Sequence, residues 1–375
     1  MEAAIAVDDD NNIDAEADAE ISTYLGHQLP KSFFLFAGAG SGKTRSLVNA
    51  LQLIQNNHSR RFRLQGQRVG VITYTNSACD EIKHRTGFDP LAEVSTIHSF
   101  VWSLIQGFNE DIKAWLKIEL ESEIADLKDK QAKGRGGKAS LDREKSIESK
   151  TRRLAALPEI RKFTYNPNGD NRGRESLNHS EVIKISATFL SEKSAMQRLL
   201  ITKFPILLID ESQDTNKTLM EAFLSVQEKH SNEFRLGLFG DTMQRIYADG
   251  KADLGQKLPA GWATPAKKMN HRCPKRIITL INKLRADVDN QEQAPRTDAI
   301  EGIVRLFILK ADTADKMAAE KLIAGKMATA ASDESWNKPG EVKALILEHH
   351  MAARRMGFHE MYEPLIGMIP CVLVF

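Results

Sequence analysis

Cysteine is scarce in this chain. Only Cys79, Cys273 and Cys371 occur in 375 residues, far apart and with no C-x-x-C pair. That excludes a disulfide framework and a cysteine-based zinc module, and it fits a reducing compartment. No apolar run reaches the roughly 20 residues that span a bilayer, so no membrane anchor is expected. A dominant charge is missing as well: 52 Lys and Arg stand against 50 Asp and Glu, a formal net charge of +2. Without a global basic field, any nucleic-acid surface must be local. The first residues lack the basic n-region of a secretory leader. Asp8 to Glu20 are acidic instead and read as a solvated tail running into a first helix, so a cytoplasmic location is expected. Hydrophobic content of 42% and charged content of 27% are ordinary for a soluble protein. The length exceeds what one compact core accommodates, so two or more domains are expected.

What is present is a phosphate-binding loop. Ala37-Gly-Ala-Gly-Ser-Gly-Lys-Thr44 follows the apolar run Phe33-Phe-Leu-Phe36 and precedes Arg45 to Ile54, which has helical spacing. Strand, glycine-rich turn and helix in that order are what such a loop requires. The glycines let backbone N–H groups wrap a triphosphate, and the helix N-terminus adds partial positive charge. The residues assigned to ATP are Ala37, Gly38, Ala39, Gly40, Ser41, Gly42, Lys43, Thr44 and Arg45. Lys43 would reach the β- and γ-phosphates, and the Thr44 hydroxyl would ligate Mg²⁺.

Strands and helices alternate around this loop. Val69 to Thr75 and Ala92 to Ser95 read as strands, and Asn76 to Arg85 and Thr96 to Ile105 as helices. That alternation predicts an α/β fold with a parallel sheet and right-handed crossovers. Between 109 and 200 the pattern turns helical: Phe108, Ile112, Trp115, Leu116, Leu120, Ile124 and Leu127 share one face. A basic turn, Lys133 to Lys138, and a polar loop, Asn166 to Gly173, interrupt it. So long an insertion reads as a helical subdomain. The core resumes with Phe204 to Glu211 and Arg235 to Asp241, two apolar strands ending in acids. From 266 a second α/β unit is expected, with a helix at Pro274 to Leu284, strands at Ile303 to Leu309 and Val342 to Leu347, and a helix between them at Ala314 to Thr329. The apolar run Ile366 to Phe375 makes that unit look incomplete. The division is therefore 1–30 for the acidic tail and first helix, 31–108 with 201–265 for the ATP-binding domain, 109–200 for the insertion and 266–375 for an incomplete second domain.

ATP hydrolysis needs phosphate binding, a metal, a water-positioning group and positive charge for the transition state. Asp210 and Glu211 end a buried strand at the C-terminal edge, where open α/β sheets place ligands. Asp210 would hold Mg²⁺, and Glu211 would polarise the attacking water. Gln213 and Gln244 could each hydrogen-bond the γ-phosphate or that water. Arg272 is a candidate arginine finger reaching across from the second domain, a contribution worth a factor of about 10³–10⁵ in rate.

The order of these motifs resembles the superfamily 1 DNA helicases of the UvrD/Rep/PcrA type over most of 33–355. Ala37–Thr44 matches motif I, Thr73 to Ile82 looks like motif Ia, and Val94 to Phe100 looks like the next DNA-contacting motif. Leu207 to Asn216 is similar to motif II, Gly240 to Tyr247 to motif III, and Met269 to Pro274 to motif IV. The resemblance implies a P-loop NTPase (RecA-like) sheet, ATP with Mg²⁺, and single-stranded DNA across the tops of two domains. Tyr74, Thr75, Asn76, Thr96, His98 and Phe100 match its DNA-contacting positions, and Tyr247 matches a base-stacking aromatic. An exposed aromatic can stack on any base, at roughly 1–3 kcal/mol each. Three departures stand out. No residue matches the family's adenine-recognising glutamine, since Gln28 is too close to the loop. Ala248 to Lys251 replace the usual Phe-Arg-Gly-Ala, and the later motifs are not found.

Three readings follow. The first is an ATP-dependent DNA helicase or translocase, an N-terminal portion, moving 3′ to 5′ as its family does. The second is a nucleotide- and DNA-binding module with little turnover that recruits a partner such as a nuclease. The third, a P-loop ATPase without nucleic acid, leaves Tyr74 to Asn76 and Thr96 to Phe100 unexplained. DNA repair, plasmid replication and anti-phage defence fit the resemblance equally.

Overall fold

The computed structural model describes residues 11–26, 30–134, 136–169, 171–244, 254, 258–289, 291–310, 313, 315–346 and 348–366. Helix α1 (Ala15–Leu25) precedes β1 (Phe33–Ala37), and the glycine-rich loop leads into α2 (Lys43–Leu64). There follow β2 (Val69–Thr73), α3 (Asn76–Arg85), β3 (Ala92–Thr96), α4 (Ile97–Ile105), α5 (Asn109–Lys133), α6 (Lys138–Ala156), α7 (His179–Glu192) and α8 (Ser194–Lys203). Next come β4 (Ile206–Ile209), α9 (Lys217–Lys229), β5 (Arg235–Gly240), β6 (Ala266–Lys267) and β7 (Met269–Asn270). The chain continues through α10 (Lys275–Arg285), β8 (Ala294–Pro295), α11 (Lys316–Ala331), α12 (His349–Arg355) and α13 (His359–Ile366).

Six strands form one parallel sheet in the order β3-β2-β4-β5-β1-β6. Successive side chains along a strand point to opposite faces, and here both faces are apolar, which gives continuous hydrophobic runs. Phe33, Leu35, Val69, Val71 and Leu208 pack with Ile21 of α1, Leu47, Leu51 and Ile54 of α2, and Ile82 of α3. Phe34, Ile72, Leu207 and Ile209 pack on the other face with Phe100 and Leu104 of α4, Val182 and Phe189 of α7, Leu200 of α8 and Phe223 of α9. The expected α/β parallel sheet of the P-loop kind is therefore present. Its strands start and stop close to the residues read from the sequence.

Several expectations need correction. Helices α7 and α8 sit on the sheet face with α4 and α9, so the insertion read as 109–200 narrows to α5, α6 and the loop up to Asn178. α5 does bury the stripe Ile112, Leu116, Leu120 and Ile124. The unit expected from 266 begins inside the first one: β6 pairs with β1 in the main sheet. The chain divides into Met1–Cys273 with Ile281–Thr297, and Pro274–Leu280 with Asp298–Phe375. In the second unit the expected strands at Ile303 to Leu309 and Val342 to Leu347 do not form among the described residues. Among the described residues none pairs with them in a ladder, and Leu306, Ile308 and Leu345 are exposed. The expected helices there do form, as α10 and α11.

Phe100 shows how tightly the main core is packed. Its ring is fully buried, 5.0 Å from the Phe204 ring. A Cβ placed on Gly70 would stand 3.0 Å from it. Phe100→Ala should therefore cost about 3–5 kcal/mol in stability by urea denaturation; a loss under about 1 kcal/mol would contradict this packing.

Candidate nucleotide site

β1 delivers the chain to a loop that only glycine can turn. Gly40 and Gly42 have φ of +78° and +82°, the left-handed region that L side chains disfavour. Gly42 stands at the N-cap of α2, so Lys43 and Thr44 open that helix at its electropositive end. Gly38 is confined for a different reason: a Cβ there would lie 2.1 Å from Gln293 Nε2 and 3.2 Å from Arg285 Nη1.

The back of the loop is pinned through its carbonyls. Asn270 Nδ2 donates to the Ala39 carbonyl at 2.9 Å, and Gln293 Nε2 donates to the same oxygen at 3.3 Å. The His271 N–H donates to the Gly40 carbonyl at 2.9 Å. The Ser41 hydroxyl is buried and has no protein partner. Glycines in the required conformation, a helix N-terminus and a buried hydroxyl without a partner fit a bound triphosphate.

The acids come from the neighbouring strand ends. Asp210 is buried at the end of β4, and its N–H donates to the Ile72 carbonyl at 2.8 Å. Burial pushes the Asp210 carboxyl up to about 6, against the opposing pull of the Lys43 charge. In register beside it, the Thr73 hydroxyl is also buried without a protein partner. Glu211 takes φ 48° and ψ 43°, a left-handed conformation costing a non-glycine residue on the order of 1–3 kcal/mol. That turn aims its carboxylate back at the loop, where it pairs with Lys43 Nζ. Gln213 Nε2 donates to the same Glu211 oxygen at 2.7 Å, and Gln213 Oε1 accepts the Asp241 N–H at 3.1 Å. One buried glutamine thus ties the ends of β4 and β5 together. Gly240 permits that approach, because a Cβ there would meet Gln213 Oε1 at 2.9 Å. Thr44 and Asp210, a hydroxyl and a carboxylate, are the oxygen donors Mg²⁺ prefers.

The structure brings Lys43, Asp210, Glu211 and Gln213 together, and Arg272 stands beside Gly40 of the loop. Arg272 is exposed, with its Cβ 3.0 Å from the Cβ position of Gly40. It lies in the same unit as the loop, which corrects the expectation that it reaches across from a second domain. Gln244 is half-buried, and its N–H donates to the Asp241 carbonyl at 3.0 Å. Tyr247, Gln28 and Ala248 to Lys251 lie outside the described residues.

Among the residues assigned to DNA, Tyr74, Thr75 and Asn76 are exposed past the end of β2. Thr75 caps α3, its hydroxyl accepting the Ala78 N–H at 3.1 Å. Thr96 caps α4. His98 is half-buried, and its pKa is pushed down to about 4 by burial and by the nearby charge of His179. The neutral ring offers a face or a single N–H but no charge for a phosphate. Phe100 is corrected: it points into the core and has no surface to offer DNA.

Sequence reading missed the scaffold behind the loop. Arg285 donates to both carboxylate oxygens of Asp241, at 3.1 and 2.9 Å, and also pairs with Asp289. Lys267 pairs with Asp18 and donates to the Ser46 hydroxyl at 2.8 Å. Asp14 accepts the Lys268 N–H at 2.7 Å. Only Asp241 carried a signal, as an acid ending an apolar strand.

A model of the AAA domain matches residues 25–249. The Gabija protein GajB of Bacillus cereus is 25% identical over 87% of this chain and 56% of its own length. A probable DNA helicase II homolog of Mycoplasma pneumoniae is 24% identical over 72% of this chain and 42% of its own length. The ATP-dependent DNA helicase PcrA of Staphylococcus aureus is 24% identical, with 76% and 41% covered. The chain spans about half the length of these curated relatives.

The raised Asp210 pKa has a stability consequence with a definite sign. The folded protein holds this proton up to about pH 6, whereas an unfolded Asp releases it near pH 3.8. Stability from this group is therefore lost as pH rises between those values. Asp210→Asn should stabilise the fold at pH 8 by on the order of 1–3 kcal/mol, and that gain should vanish by about pH 4. Urea titrations at both pH values check it. A destabilised Asp210→Asn at pH 8 would contradict the burial argument.

Proposed function

The chain belongs to the AAA domain family, matched over residues 25–249, with a superfamily 1 helicase-like ATP-binding region, and from that premise we propose that it is an ATP-dependent DNA helicase or translocase. The observation that carries this reading is the convergence of Lys43, Asp210, Glu211 and Gln213 at the mouth of the glycine-rich loop. Those are a phosphate-binding cation, a metal-binding carboxylate, a base and a sensor on one sheet edge. ATP is the substrate. Ala37 to Thr44 would enclose its phosphates, with Arg45 at the first turn of α2. Mg²⁺, held by Thr44 and Asp210, would neutralise charge between the β- and γ-phosphates. Glu211 would orient the attacking water, with Gln213 and Gln244 reporting whether a γ-phosphate is present. Arg272, whose stem lies beside Gly40, would stabilise transition-state charge.

Single-stranded DNA is the proposed track. Tyr74 to Asn76 and Thr96 to His98 follow the C-terminal ends of adjacent strands β2 and β3, on the same sheet edge as the nucleotide loop. Movement from 3′ to 5′ is carried over from the UvrD/Rep resemblance. No helix among the described residues is long and apolar enough to cross a membrane, and a cytoplasmic location agrees with the low cysteine content. A second reading has one observation in its favour: Lys43 and Gln213 both hold Glu211, so the base is occupied in this state. That arrangement suits a nucleotide- and DNA-binding module with slow turnover that recruits a partner such as a nuclease.

ATP hydrolysis by the 375-residue chain, with and without single-stranded DNA, separates the two. The helicase reading expects DNA-stimulated turnover that falls at least about 10³-fold in Lys43→Ala and in Glu211→Gln. Nucleotide binding without DNA-stimulated turnover would favour the module. Wild-type rates in Glu211→Gln would overturn the assigned chemistry.

A further inference from the structure

We propose that His350, His359 and Glu363 form a zinc site that clips α12 to α13. All three residues lie in the unit of Pro274–Leu280 and Asp298–Phe375, so the site is independent of the ATP and DNA chemistry proposed above.

A tight reversal of the chain brings the three together. α12 ends at Arg355, and Gly357 takes φ of +78°, a left-handed turn that glycine makes at no steric cost. The Gly357 N–H donates to the Arg354 carbonyl at 3.2 Å, and the Phe358 N–H donates to the Ala353 carbonyl at 3.0 Å, which closes the end of α12. Helix α13 starts two residues on, at His359. His359 and Glu363 are one turn apart on it, so their side chains share a face. His350 comes from the first turn of α12. Its ring lies 5.6 Å from the His359 ring and edge-to-face on Tyr362, also at 5.6 Å. Arg355 pairs with Glu320 of α11 and anchors α12.

The ligand atoms of these three residues all lie within 4.8 Å of one another. No other trio of His, Cys, Asp or Glu among the described residues offers such a group. His359 Nε2 and Glu363 Oε1 stand 3.4 Å apart. Two ligands on a tetrahedral zinc, each bonded at about 2.0–2.2 Å, are separated by roughly 3.3–3.6 Å. The Arg354 Nε–H donates to His359 Nε2 at 3.2 Å, so that nitrogen carries a lone pair and no proton. A lone pair and a carboxylate oxygen therefore face each other with no proton between them. Such a pair repels unless a cation sits beside it. Here that cation is the Arg354 guanidinium, held on an exposed side chain that can swing away. The ring proton then sits on Nδ1, which is buried without a hydrogen-bond partner, leaving Nε2 as the working polar edge of the ring. Two imidazoles with one carboxylate suit zinc, whereas Mg²⁺ and Ca²⁺ take sets of oxygens. Three protein ligands leave one position for water.

The test is zinc binding by the 375-residue chain after dialysis against a chelator, with excess Mg²⁺ present to occupy oxygen-donor sites. Competition with a chromogenic zinc indicator reads affinity; Co²⁺ absorption and melting temperature are further readouts. One zinc per chain is expected, with the visible bands of four-coordinate Co²⁺ and a melting temperature that rises with zinc concentration. Glu363→Gln and His350→Ala should each weaken binding at least about 10-fold, the smallest loss that removing even an outer-shell partner brings. Both positions are exposed, so neither variant threatens the fold. Arg354→Ala should bind zinc more tightly, because a competing cation is gone; weaker binding there would overturn the site. His84→Ala, at an exposed histidine on α3, should bind like wild type. No stoichiometric zinc, or an equal loss in His84→Ala, would also overturn the site. So would the near-ultraviolet charge-transfer band of a cobalt–thiolate bond, which would put the metal on cysteine.

Discussion

The pairing of Lys43 with Glu211 is the contact on which the rest of this site depends. The two residues are 168 apart in sequence, Lys43 at the start of α2 and Glu211 in the turn after β4. They meet because β1 and β4 run parallel on either side of β5, so both loops leave the sheet at the same edge. Two unfavourable backbone conformations make the approach close. Gly42 takes positive φ at no steric cost, and Glu211 takes it at a cost of on the order of 1–3 kcal/mol. Hydrophobic burial on both faces of the sheet holds that strain in place. The same pair also explains the site's poise, because Lys43 and the base neutralise each other until a more negative group competes for the lysine.

Behind that contact lies a polar scaffold that a parallel sheet does not require. Arg285 and Asp241 form a buried pair with half-buried Asp289 beside it, and Asn270 and Gln293 brace the Ala39 carbonyl. Buried ion pairs rarely add net stability, but removing one partner costs about 3–5 kcal/mol because the other charge is stranded. We read this cluster as a device for position. It fixes the loop backbone from behind, where Gly38 leaves room for nothing larger than hydrogen.

Much of this was legible in the sequence, for definable reasons. Apolar runs of four to six residues between turn signals marked β1, β2, β4 and β5, because both faces of those strands are buried. The glycine-rich loop and the two acids ending β4 were legible because their chemistry forces residue type and spacing together. The short β6, two residues long, carries no periodicity and was missed, and with it the place where the first unit ends. Strand-like runs at 303–309 and 342–347 have the composition of strands, yet a strand exists only with a ladder partner, and none pairs with them among the described residues. Phe100 matched a family position, but the helical register of α4 turns it inward. Arg285 and Gln293 gave no local signal at all. Their partners are 44 and 254 residues distant, and such pairings are set by tertiary packing alone.

The central claim is that Lys43 exchanges Glu211 for a nucleotide phosphate. The most direct measurement is a calorimetric titration of a non-hydrolysable ATP analogue with Mg²⁺ into wild type, Glu211→Gln and Lys43→Ala. The exchange predicts that Glu211→Gln binds more tightly than wild type, since its lysine is no longer held by a charge. It predicts that Lys43→Ala binds at least about tenfold more weakly, the loss of one charge-assisted contact. Equal affinity across all three proteins would show that Lys43 does not serve the phosphates, and the site as assigned would be wrong.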